Sequence, residues 1–153
     1  MSFQKSAIGL LVALLSFGSA HAEIMVSKPT VKLGIGERPS VFHAEIMNHS
    51  RDAAKLVAAD SPSFERIELH THETNADGMM RMRQVSSYAL PAMGTLSLAP
   101  GGDHLMLFGY RGDKKAPVTL TLHFADGSSH TLSAPTHARS KSSGHHGTHH
   151  GNH

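Results

Sequence analysis

The chain has 153 residues, with 14 Lys and Arg against 12 Asp and Glu, 14 His, 8 Met and no Cys. No basic patch of the kind by which a domain grips nucleic acid follows from so even a balance of charge. The missing cysteine excludes thiolate nucleophiles, Fe–S clusters and His₂Cys copper electron-transfer sites, and leaves Met and His as the soft or borderline metal ligands.

The first 22 residues read as an address. Lys5 gives a short basic start, and residues 7–17 form an apolar run short of the roughly 20 residues a membrane span needs. Ser19-Ala20-His21-Ala22 ends in an A-x-A pattern, so residues 1–22 are expected to be a signal peptide cleaved before Glu23. The expected product is exported to the periplasm, with no membrane insertion after cleavage.

Residues 24–33 mix β-branched and polar side chains and are broken at Pro29, and residues 34–39 are a loop by their Gly and Pro content. Residues 41–47 alternate, with Phe42, Ala44 and Ile46 on one face and His43 and Glu45 on the other. That pattern is a half-buried strand, ended by Asn48-His49-Ser50, which fits a glycosylation sequon by composition alone. Residues 53–59 have ambiguous spacing and are read as a strand because they are short and flanked by turns. In residues 65–70, Ile67 and Leu69 share one face while Arg66, Glu68 and His70 share the other. Ala76-Asp77-Gly78 turns the chain into residues 79–83, where Met80 and Met82 share a face. Strands follow at 95–98, 104–110, 118–124 and 130–133, with Asp126-Gly127-Ser128 as a hairpin turn before the last. Many short strands with regular turns and almost no helix predict an antiparallel β-sandwich or barrel, one domain over residues 23–135.

From Thr136 the composition changes to a polar linker and then a histidine-rich tract carrying His137, His145, His146, His149, His150 and His153. Nothing in residues 136–153 can bury apolar area, so this tail is expected to be disordered without metal. Clustered imidazoles of this kind read as a site for Cu(II), with Zn(II) or Ni(II) as alternatives.

Within the strand at 104–110, His104 and Met106 stand at i, i+2 and so project from the same side. With 14 His and 8 Met in the chain, chance alone gives roughly 0.7 such pairs at any chosen spacing, so the pair proves little by itself. The intervals to its neighbours say more: eleven residues separate His70 from Met82, and twenty-one separate Met82 from His104. The stretches Ile67-Glu68-Leu69-His70, Asp77-Gly78-Met79-Met80-Arg81-Met82-Arg83 and Pro100-Gly101-Gly102-Asp103-His104-Leu105-Met106-Leu107 resemble the periplasmic copper chaperone family called PCu(A)C. The pattern of that family is a His, an often-present Met, ten residues, a Met, twenty-one residues and His-x-Met. Every interval recurs here, and the optional Met is Thr71.

The resemblance implies a cupredoxin-like Greek-key fold and Cu(I) ligation by His70, Met82, His104 and Met106. It also implies delivery of copper to the Cu-A centre of cytochrome c oxidase, with a thiol reductase or another copper chaperone as further partner. Chemistry agrees, since two thioethers and two neutral imidazoles form an uncharged set that suits soft Cu(I) better than Zn(II) or Ca(II). The expected role is non-enzymatic and monomeric, a metal-bridged dimer being the alternative state. The alternative function is a periplasmic Cu or Zn buffer or resistance protein that sequesters metal on its tail. One of Met79 and Met80 is expected to be core filler. His72 is read as a loop residue sooner than as an extra ligand, and His43, His49, His123 and His130 are read as surface residues.

Overall fold

The structure, a computed structural model, describes residues 23–138. The leader, its cleavage point, and the tail imidazoles His145, His146, His149, His150 and His153 lie outside the described residues. Among the described residues there are strands and no helix, in the order β1 (Ile24–Leu33), β2 (Ser40–Asn48), β3 (Ala54–Asp60), β4 (Arg66–Thr74), β5 (Met80–Gln84), β6 (Tyr88–Leu90), β7 (Thr95–Leu98), β8 (His104–Phe108), β9 (Val118–Phe124), β10 (Ser129–Ala134) and β11 (Thr136–Ala138).

The strands form two sheets. The larger runs β11-β1-β2-β8-β4-β5 with β7 also paired to β2, and the smaller runs β10-β9-β3-β6. Alternation decides which face of each strand turns inward. Phe42, Ala44 and Ile46 of β2, Leu105 and Leu107 of β8, and Val118, Leu120, Leu122 and Phe124 of β9 all enter one core between the sheets. Burying aliphatic and aromatic side chains of this kind contributes roughly 1.5–3 kcal/mol each, which is how a domain without disulfides holds together.

β1 does not stop at Pro29. Its register against β2 shifts between Ser27 and Thr30, with Lys28 at a φ of 50°, so a bulge absorbs the proline and the strand continues. The apparent sequon at β2's end is structural. Asn48 is almost fully buried, its Nδ2 donates to the carbonyls of Asp52 (2.8 Å) and Pro91 (3.2 Å), and its Oδ1 accepts from the Ser50 amide.

Two expectations change here. Thr136-His137-Ala138 is a strand, not the start of the tail, because it pairs parallel with β1 through Val31↔Thr136, Lys32↔His137 and Leu33↔Ala138. The folded unit therefore reaches at least Ala138, and the larger sheet is mixed. Neither Met79 nor Met80 fills the core: they are 53% and 61% exposed, because β5 is the outermost strand of its sheet.

Candidate metal centre

Strand register builds the site. Across β4 and β8, His70 lies opposite His104 and Glu68 opposite Met106. Across β4 and β5, His72 lies opposite Met82, and on the other side of β8 Met106 lies opposite Val41. Directly opposed residues share a sheet face. One outer face of the larger sheet thus gathers all four sequence-derived ligands, together with Glu68 and His72. Their neighbours Leu69, Leu105 and Leu107 point the other way, into the core.

The turn before β8 prepares His104. Gly102 N donates to Ala99 O (3.1 Å) and Ala99 N to Asp103 O (2.9 Å), with Gly101 at a φ of 79°. Glycine takes that left-handed conformation without the cost a Cβ would bring. The turn presents the Gly102 carbonyl to His104 Nδ1 at 2.9 Å. A carbonyl only accepts, so Nδ1 carries the proton and Nε2 keeps its lone pair. That Nε2 lies 3.4 Å from the Met82 Sδ, so an imidazole nitrogen and a thioether sulfur already converge.

His104 is a buried polar residue, 4% exposed. Burial is the largest influence on its ring and pushes its conjugate acid below the ordinary value. The Gly102 carbonyl acts in the opposite sense, while His72 and His70 add to the lowering. The lowering favours the neutral ring that a metal ligand requires.

His70 is prepared differently. Its Nε2 lies 2.9 Å from Glu68 Oε2, so Nε2–H donates to the carboxylate, and Glu68 Oε1 in turn accepts from Arg66 Nε at 2.6 Å. The His70 bond, first, holds the Glu68 carboxyl below its usual range. The other His70 nitrogen, Nδ1, is buried with no hydrogen-bond partner among the described residues. An unpartnered buried acceptor is costly unless something is meant to meet it. A carboxylate orienting an imidazole whose far nitrogen is free is the usual support of a metal-ligating histidine. The residues fit a soft cation.

Tyr88 of β6 holds the two ligand strands together from the core side. Its hydroxyl lies 2.6 Å from the His70 carbonyl and 2.8 Å from the His104 carbonyl, and one proton shared between them ties β4 to β8 at the ligand pair. Burial, above all, raises its pKa beyond the ordinary phenol range.

A pocket of about 570 Å³ opens over this face, lined among others by His43, His72, Met82, His104, Met106 and His137. Lys32 and Arg38 also line it, and both are cations. Among the described residues no group of three or more His, Cys, Asp or Glu could hold an ion by itself. The methionine sulfurs at this face suit a soft ion.

The surface reading of His43 and the loop reading of His72 are both corrected. His72 lies in β4, paired with Met82, and its ring centroid is 5.0 Å from that of His104. The signal was available: His72 follows His70 at the same i, i+2 spacing as Met106 follows His104. His43 lies in β2 on the pocket wall, its acidity shifted by burial first, then by Lys32 and His104. His137, assigned to the tail, stands at the pocket because β11 docks beside β1. Glu68 and Tyr88 carried no ligand signal in the sequence. His123, by contrast, is a surface residue paired with Asp60.

The family model described as LpqE-like matches residues 20–136. The protein Lxx21020 of Leifsonia xyli subsp. xyli (strain CTCB07) is 32% identical over 114 residues, covering 73% of this chain and 68% of that protein. Both names carry the word lipoprotein. The solution structure of CuI-DR1885 from Deinococcus radiodurans is 30% identical, covers 76% of this chain and 80% of that chain, and superposes with a TM-score of 0.60. The copper-bound PCuAC domain from PmoF2 (20% identical, 75% of this chain, 92% of that chain, TM-score 0.61) and the apo PCuAC domain from PmoF1 (24%, 75%, 93%, 0.62) share the fold.

Proposed function

This chain belongs to the LpqE-like family, and from that premise, with a fold shared by PCuAC domains, we propose that it is a copper-binding chaperone and not an enzyme. Its cargo is Cu(I), held by His70 Nδ1, Met82 Sδ, His104 Nε2 and Met106 Sδ. The observation that carries the reading is the convergence of His104 Nε2 on Met82 Sδ at 3.4 Å, beside a buried His70 Nδ1 with no partner. Every donor in that set is neutral, so a monovalent soft ion is held without the charge that would favour Zn(II). Open access through the pocket lets an incoming ligand displace a protein donor, which is what a carrier needs.

The acceptor in this reading is the Cu-A centre of cytochrome c oxidase, with a thiol reductase or another copper chaperone supplying or reducing the metal. The tail imidazoles His145, His146, His149, His150 and His153 take Cu(II) and feed the folded site after reduction. The protein acts outside the cytoplasm, as a leader ending before Glu23 and relatives named as lipoproteins support. No helix among the described residues is long and apolar enough to cross a membrane.

Richness of the tail in histidine favours one second reading, a periplasmic buffer for Cu or Zn. Mixing the Cu(I)-loaded protein with an apo Cu-A domain separates the two. A chaperone's copper is recovered on the separated acceptor, which shows Cu-A absorption once ferricyanide is added as the one-electron oxidant, whereas a buffer leaves the acceptor empty.

A further inference from the structure

His72 and His104 share one hydrogen-bond acceptor. Nδ1 of His72 lies 3.2 Å from the Gly102 carbonyl, and Nδ1 of His104 lies 2.9 Å from the same oxygen. Both nitrogens must therefore carry protons, and both rings keep an Nε2 lone pair for something else. Their centroids are 5.0 Å apart, and Met82, directly opposite His72, brings its sulfur to 3.4 Å from His104 Nε2. His72, His104 and Met82 all line the pocket. His70 is not among the lining residues; its ring centroid is 6.0 Å from that of His104, and its free nitrogen is buried.

Resting on the copper reading above, we infer that the chain offers its cargo two positions, and that His72 is the ligand by which the ion enters and leaves. The outer position uses His72 Nε2, His104 Nε2, Met82 Sδ and Met106 Sδ, all at the pocket. The inner position exchanges His72 for His70 Nδ1. In the exchange one metal–nitrogen bond forms to His70 as one breaks to His72. No electron moves, and no proton needs to, because His70 already keeps its proton on Nε2 against Glu68. An incoming partner ligand meets the ion in the outer position, so His72 governs rate while His70 governs affinity.

The test uses the full chain loaded with one equivalent of Cu(I) and the chelator bicinchoninate, read at equilibrium and by stopped flow. His72→Ala and His72→Gln keep Cu(I) affinity within about threefold while copper exit slows by about tenfold or more. His70→Ala loses affinity by about tenfold or more, and its copper leaves no more slowly than from the wild type. Circular dichroism confirms folding, and the glutamine variant keeps a polar side chain should alanine disturb β4. An unchanged exit rate in both His72 variants overturns the inference, as does a loss of affinity as large as that of His104→Ala, which would make His72 an ordinary ligand of a single position. Failure of the wild type to retain Cu(I) overturns the copper reading itself, a distinct result.

Discussion

Replacing Glu68 tests whether the site is held ready before metal arrives. Its carboxylate accepts Nε2–H of His70 at 2.9 Å, and both side chains are largely shielded, at 18% and 14% exposure. Glu68→Ala removes the acceptor that fixes the tautomer and the ring orientation, so His70 Nδ1 is no longer reliably the free nitrogen. Losing a partner of this kind costs metal affinity about 10- to 100-fold, which corresponds to about 1.4–2.8 kcal/mol. Glu68→Gln keeps an oxygen acceptor without the charge, and its loss should fall at the low end of that range. Competition against a Cu(I) chelator gives the affinities, and imidazole nitrogen chemical shifts of the apo protein report which His70 nitrogen carries the proton. Unchanged affinity in a folded Glu68→Ala protein would refute the reasoning. So would an apo His70 protonated on Nδ1.

Tyr88→Phe removes a hydroxyl that serves two backbone carbonyls, and unfolding in urea should report a loss of about 1–3 kcal/mol; a loss below about 0.5 kcal/mol, the level of an ordinary surface change, contradicts the tie between β4 and β8. Stability should also fall in mild acid. His104 and His43 are both lowered from 6.5, mainly by burial, so below about 6.5 the unfolded chain binds protons that the folded chain refuses. Their contribution is present in full above that pH and is lost as pH falls from there through the folded-state values. Urea midpoints at pH about 7.5 and about 5 measure it. His43→Gln should narrow the difference, and an unchanged difference means His43 is not part of the cause.

Strand alternation made most of the fold legible. Phe42, Ala44 and Ile46, or Val118, Leu120 and Leu122, announce a buried face through their period of two, and the core uses them accordingly. Edge effects were not legible. Met79 and Met80 look like core residues by composition, and only the position of β5 at the sheet margin explains their exposure. β11 was hidden because Thr136, His137 and Ala138 pair through backbone, which composition does not record. In the site, spacing pointed to His70, Met82, His104 and Met106, and register gathers them on one face. The supporting residues were invisible for a physical reason. Glu68 and Tyr88 act through a hydrogen bond to His70 and through contact with ligand carbonyls. Neither kind of contact has a fixed sequence interval. His43 and His137 reach the pocket only because β2 and β11 are brought to it by the sheet order.

The central claim is that methionine sulfur from β5 and β8 joins imidazole to hold Cu(I). Competition titration of the full chain, wild type against Met82→Ala and Met106→Ala, tests it most directly. Wild type should bind Cu(I) at the folded site, and each variant should bind more weakly by about tenfold or more, the equivalent of about 1.4 kcal/mol. Affinity unchanged in both variants would contradict the account.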